Sequence, residues 1–208
     1  MRKVLFHRTT NVLAVAFLAG FLTVSAALRI GTLTREPVQY APAYGLRGTT
    51  EELLAVLVIS SDCRYDAAFP NAIERLKVTL ARRARATSRT FAAIAVVVDW
   101  SPRNAARFIK QFGQFDEILL GRNWLNTGVV RYVWRDLPGP PQVPQVIVVK
   151  RRVEVSERSI HVGGEAEVVR KLGTTEILEW VEQNLPMPGL ALNTERDEAS
   201  NSNSTTPR

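Results

Sequence analysis

The chain has 208 residues, 46% of them hydrophobic and 23% charged, with 12 Gly, 11 Pro and a single Cys. At about 150 residues per domain, this is one ordinary globular domain with extensions, and the composition excludes a disordered, collagen-like or coiled-coil chain. One cysteine excludes an internal disulfide framework, an iron–sulfur cluster and a multi-thiolate zinc site. The two histidines, His7 and His161, exclude a histidine-based metal cluster, so the reading contains no metal site and no cofactor.

The formal charge of +7 is concentrated at one end. Residues 1–35 carry Arg2, Lys3, Arg8, Arg29 and Arg35 and no acid, which leaves +2 for the remainder. The basicity therefore belongs to the N-terminus and not to the domain, which argues against nucleic acid as a partner. Arg2, Lys3 and Arg8 precede an uncharged run from Val12 to Leu28. As a helix its 17 residues extend about 25 Å, just short of a hydrocarbon core of about 30 Å. Ser25-Ala26-Ala27 close the run with the small residues of a signal-peptidase site. Residues 1–30 thus read as a cleaved signal peptide or a single-pass anchor. Either way the positive-inside rule keeps the N-terminus in the cytoplasm and sends the domain across, to the periplasm or outside the cell.

Residues 31–50, with two Pro, three Gly and no period, read as a linker. The domain is expected over 51–187, and the polar segment 188–208 reads as a disordered tail. Four apolar runs, 53–59, 91–98, 117–120 and 145–149, lack alternation, as strands buried on both faces do. After the first, Phe69, Ile73, Leu76 and Leu80 recur at helical spacing, with Arg82, Arg83 and Arg85 in the last turns, where cations suit the helix dipole. A second helix is expected from Pro102, capped by Ser101 and stopped at Gly113. Strand 145–155 should turn at Ser156-Glu157 into a short strand, Arg158 to Val162, ended by Gly163-Gly164. A final helix is expected from Thr174 or Thr175, with Leu178, Val181 and Leu185 as its inner stripe. The predicted class is α/β, in the order β-α-β-α-(β)-α-β-β-α.

Two local features stand out in that order. Ser60-Ser61-Asp62-Cys63-Arg64-Tyr65-Asp66 follows the first strand and opens a helix that has Pro70 in its first turns. Val143-Pro144-Gln145 leads into the strand of the hairpin. Together with the element order and the closing helix, they make residues 50–187 resemble the thioredoxin-like fold, a central mixed sheet with flanking helices. The nearest type is the membrane-tethered extracytoplasmic thiol–disulfide oxidoreductase. The resemblance implies that Cys63 is the catalytic thiol, and that Val143 and Pro144 form the loop that shapes the substrate groove beside it.

Asp66 stands where that family's second cysteine belongs. A dithiol cycle needs one thiolate to attack and another to release the mixed disulfide. The expected chemistry is therefore monothiol, with an external thiol or a partner protein's cysteine completing the exchange. A helix N-terminus and Arg64 would favour the Cys63 thiolate, while Asp62 and Asp66 would oppose it. A peroxidatic reading needs Pro-x-x-x-Thr-x-x-Cys, and here Ser60 fills the Thr place while Val56 replaces the Pro. The alternative is a non-catalytic binding or assembly module in which Cys63 is an inert apolar thiol.

The remaining candidates have plainer readings. Asp99 is expected to cap a helix or brace a loop. Trp124, Trp134 and Trp180 fit packing roles, and His161 should face solvent. The nine Lys/Arg between residues 74 and 110 read as a solvated helix face.

Overall fold

The computed structural model describes residues 39–42 and 48–187. The signal or anchor read over 1–30 and the tail read over 188–208 lie outside the described residues. Among those described, no helix is long and apolar enough to cross a membrane.

Among the described residues, five strands and four helices follow in the order β1 (Gly48–Ser60), α1 (Ala68–Ala86), β2 (Thr90–Val98), α2 (Pro102–Ile109), β3 (Glu117–Leu119), α3 (Thr127–Val129), β4 (Gln145–Val155), β5 (Ile160–Leu172) and α4 (Gly173–Glu182). A 3-10 turn, Lys110–Phe112, extends α2, and α3 runs on as a π-helical stretch, Val130–Arg135. The sheet order is β3-β2-β1-β4-β5. β1, β2 and β3 are parallel, β4 runs antiparallel to β1, and β5 antiparallel to β4. The fold is α/β, with a mixed sheet and flanking helices.

The unbroken apolar runs of β1, β2 and β4 have the expected cause, whereas the run at 117–120 is a short edge strand with Glu117 and Ile118 exposed. β1 sends Leu53, Ala55, Leu57 and Ile59 into one core layer with α1, α2 and α4. Its alternate residues Leu54, Val56 and Val58 enter a second layer with Val129, Tyr132 and Val133. A strand covered on both faces has no polar face to advertise its period.

α1 buries Phe69, Ile73, Leu76 and Leu80, the expected stripe, but also Lys77. The Lys77 ammonium pairs with Glu74 at 2.7 Å and donates to the carbonyls of Phe112 and Gln114, each at 2.7 Å. At the helix end, Arg83 donates to the carbonyls of Asn184 and Leu185 behind α4. Part of the presumed solvated basic face is therefore structural. α2 begins as expected, with the Ser101 hydroxyl accepting the Asn104 N–H at 3.3 Å, and its extension ends at Gly113, φ +75°.

Three boundaries differ from the sequence reading. The linker does not reach residue 50, because β1 starts at Gly48 and Tyr40 is buried. The Tyr40 ring meets Phe91 edge-on at 5.3 Å, its hydroxyl donates to Asp116 and its N–H donates to Glu74. One anchoring aromatic leaves no periodic signal. Gly163-Gly164 does not end β5, which runs from Ile160 to Leu172. Lys150 pairs with Ala166 while Arg152 pairs with Gly163, so β5 carries an extra residue there. Gly164, at φ +64°, absorbs the resulting bulge. Finally, α4 starts at Gly173, and its inner face is Ile177, Trp180 and Val181, with Leu185 just beyond; Leu178 is only half-buried.

Candidate functional site

The strand registers bring three loops to one end of the sheet. Ser60 pairs with Val98 across the parallel β1–β2 ladder, and Val58 pairs with Gln145 across the antiparallel β1–β4 ladder. The chain leaving β1, the chain leaving β2 and the chain entering β4 must then meet. These are Ser61-Asp62-Cys63, Asp99-Trp100 and Val143-Pro144.

Cys63 is half-buried, and its backbone N–H donates to the Ser60 carbonyl at 3.4 Å. The preceding N–H, of Asp62, donates to the Ser60 hydroxyl at 3.2 Å. The buried Asp99 braces this turn from the β2 side. Its carboxylate accepts from the Ser61 hydroxyl and, at 2.6 Å, from the Ser101 N–H. Its carbonyl accepts the Asn123 N–H at 3.1 Å. The loop-bracing reading of Asp99 agrees with this geometry.

The spacing predicts Cys63 at the helix N-terminus, but the structure places it in the loop ahead of the helix. α1 begins at Ala68, and Ala67 is already helical at φ −65°, ψ −16°. The cap is Asp66, whose carboxylate accepts the N–H groups of Ala68 at 2.8 Å and Phe69 at 3.1 Å. An aspartate satisfies these first-turn donors far better than a thiol would. The residue that stands where a second cysteine would stand therefore takes the N–H groups that could have favoured the Cys63 thiolate.

Between them, Tyr65 ties the loop to the helices. Its ring stacks on Phe69 at 4.9 Å and meets Phe108 at 6.0 Å and Phe112 at 6.1 Å. The hydroxyl is closed off from solvent and makes no hydrogen bond of good geometry. Burial pushes the Tyr65 phenol well above its ordinary range, and the neighbouring Cys63 adds to the effect.

On the opposite flank, the Val143-Pro144 bond is cis. Pro144 is buried, and its carbonyl accepts the Gly173 N–H at 2.8 Å, joining this loop to the start of α4. Two residues that sequence reasoning missed hold the loop in place. Gln145, fully buried, donates to the carbonyls of Gln142 at 2.8 Å and Pro140 at 3.2 Å. Arg170 donates to Gln145 Oε1 at 2.6 Å, to the Leu137 carbonyl at 2.9 Å and to Glu167 at 2.6 Å. The available signal was a polar Gln145 opening an otherwise apolar strand. Cys63 and Pro144 share the sheet end, and no hydrogen bond joins them.

A groove of about 510 Å³ opens beside the cysteine loop, between Ser61-Asp62 and the α2 residues Asn104, Arg107, Phe108 and Gln111. Trp100 stands exposed at the same end, at 71%. Trp180 is buried, with its Nε1–H donated to the Pro186 carbonyl at 3.0 Å, as a packing role requires. Trp134 departs from that role: it is half-exposed and rests edge-on against Trp124 at 6.2 Å. His161 faces solvent on β5, as expected.

Comparison with protein-family models, curated proteins and solved structures finds no match for this chain.

Proposed function

We propose that this is a thioredoxin-like, membrane-tethered extracytoplasmic protein that performs monothiol exchange through Cys63, with Val143 and Pro144 shaping the groove for the substrate. The observation that carries the proposal is the sheet end itself. β2-β1-β4-β5, two parallel strands followed by an antiparallel hairpin, puts the Cys63 loop and the Pro144 loop together. That is the juxtaposition on which the resemblance to the thioredoxin-like fold rests.

The chemistry is a two-step exchange in which the protein supplies one sulfur. The Cys63 thiolate attacks a disulfide, forming a mixed disulfide as the substrate's S–S bond breaks and one substrate thiolate leaves. An external thiolate, from a small thiol or a partner cysteine, then attacks the mixed disulfide and restores the Cys63 thiolate. Half-burial of Cys63 leaves a route for attack while Ser60 and Asp99 hold the turn. The Asp66 cap favours a second reading, a non-catalytic binding or assembly module, since it occupies the helix donors.

Alkylation separates the two readings cleanly because Cys63 is the chain's single thiol. In the full-length protein at neutral pH, a working nucleophile should react with iodoacetamide about tenfold faster than free cysteine. In envelope extracts it should also yield mixed disulfides that disappear with a reductant and with Cys63→Ser. Labelling slower than free cysteine, with no mixed disulfide, would leave the binding module as the function.

A further inference from the structure

We infer that an aromatic face at the end of β2 and along the outer side of α3 docks on the interfacial layer of a bilayer, with Arg103 and Arg122 set against anionic headgroups. The inference rests on the membrane tether of the proposed function and not on Cys63. Among the described residues, Trp100, Leu125 and Trp134 are three of the six large apolar side chains left exposed. Two contacts pack the segment 121–125 on the one that carries Trp100. The Asn123 N–H donates to the Asp99 carbonyl at 3.1 Å, and a Cβ on Gly121 would stand 3.1 Å from Pro102 Cγ. Trp124 meets Trp134 edge-on at 6.2 Å and rests on the core layer of Val129, Tyr132 and Val133.

The face is fixed in advance. Gly121, Arg122 and Asn123 take φ values of +81°, +60° and +50°, left-handed backbone that is costly for residues with a Cβ. The buried Asn126 closes this turn, donating to the Gly121 carbonyl at 3.0 Å and accepting the Gly128 N–H at 2.9 Å. The turn so held keeps Leu125 in solvent at 59% exposure, and a preorganised surface loses little entropy on docking.

The chemistry of the face selects a bilayer. Tryptophan suits a boundary with one apolar and one wet side, because its ring is apolar while its N–H seeks an acceptor. The Trp180 indole is bonded to a carbonyl, whereas among the described residues those of Trp100, Trp124 and Trp134 have no protein acceptor. The acids beside the face are engaged: Asp99 with Ser61 and Ser101, Asp136 with Arg135, and Glu165 with Arg131 and Arg151. Arg103 and Arg122 are exposed and form no ion pair among the described residues. Reach is sufficient as well. Residues 29–38, between the apolar run and Gln39, span at most about 35 Å when extended. Tyr40 is packed on Phe91 at the start of β2, and the chain from Phe91 to Trp100 covers about 30 Å. A bilayer held that near by a tether is at high effective concentration.

The test uses the full-length protein reconstituted into vesicles of phosphatidylcholine, with or without phosphatidylglycerol. Tryptophan emission is followed with lipids spin-labelled just below the headgroup, and the buried Trp180 serves as the unquenched reference. Quenching should be strong with phosphatidylglycerol and should weaken in 1 M salt, where the screening length is about 3 Å. Arg103→Gln and Arg122→Asn, the latter compatible with the left-handed turn, should each lower the docked-to-undocked ratio about fivefold, the effect of one basic residue at an anionic surface. Leu125→Gln leaves every emitter in place and should lower the ratio about tenfold, as withdrawing one leucine from apolar burial does. Protein that floats with the vesicles but shows no quenching, or quenching that all three variants leave unchanged, overturns the inference and leaves the tether standing. A blue shift that grows with protein concentration in detergent, without lipid, assigns the face to a second copy of the chain and overturns it too. Protein that does not float with the vesicles removes the tether and the docking together.

Discussion

Asp66 illustrates how one side chain can decide both a structure and a chemistry. Its carboxylate holds the first N–H groups of α1, so the helix starts where the aspartate is and not where the cysteine is. Asp66→Ala should cost about 1 kcal/mol, read as a lowered denaturant midpoint, because it removes the carboxylate that accepts the Ala68 and Phe69 N–H groups. Sequence spacing alone put Cys63 at the helix mouth. The error has a physical origin, since Asp62 and Asp66 are both capping residue types and only the packing of Tyr65 against Phe69 and Phe108 selects the later one.

At the scale of elements, the segment before β4 shows the most that sequence could not supply. Residues 136–144 contain four prolines, and side-chain hydrogen bonds hold the carbonyls of Leu137, Pro140 and Gln142. Arg170 reaches from β5 to the carbonyls of Tyr132 and Leu137 and to Gln145, with its side chain only 9% exposed. Gly139 is part of the same device, because a Cβ there would come within 2.7 Å of the guanidinium. Arg170→Met should destabilise the protein by about 3 kcal/mol, since it strands Glu167 and several partly buried acceptors. Limited proteolysis should then cut first within 137–143, ahead of global unfolding. Unchanged cleavage would mean that Gln145 alone holds the loop.

For the molecule as a whole, three phenols raised by burial, Tyr40, Tyr65 and Tyr132, shape alkaline behaviour. Burial is the main cause that raises both Tyr40 and Tyr65 above the ordinary value of 10.0, with Asp116 contributing at Tyr40 and Cys63 at Tyr65. Above about pH 10 the unfolded phenols ionise while the folded ones stay neutral, so the unfolded state binds fewer protons and stability falls as pH rises. Lys77 acts in the other direction: burial lowers it, which makes stability rise with pH up to its unfolded value. The two effects are separated by Tyr65→Phe. That variant should leave stability at pH 7 nearly unchanged, because the hydroxyl makes no hydrogen bond of good geometry, and should flatten the fall in denaturant midpoint between pH 9 and pH 11. An identical fall in the variant would assign the alkaline loss to Tyr40 and Tyr132.

The sequence by itself determined the element order, the α1 stripe, the Ser101 start and Gly113 stop of α2, and the candidate pair Cys63 and Pro144. These are local matters of period, capping chemistry and the backbone demands of proline and glycine. Tertiary structure decided the burial of Tyr40 and Lys77, the continuation of β5 through its bulges, and the grip of Arg170 and Gln145 on the loop before β4. Each of these joins residues distant in the chain, such as Tyr40 to Asp116 or Arg170 to Leu137. A pairing of that kind depends on which strands become neighbours, and no local period encodes that choice.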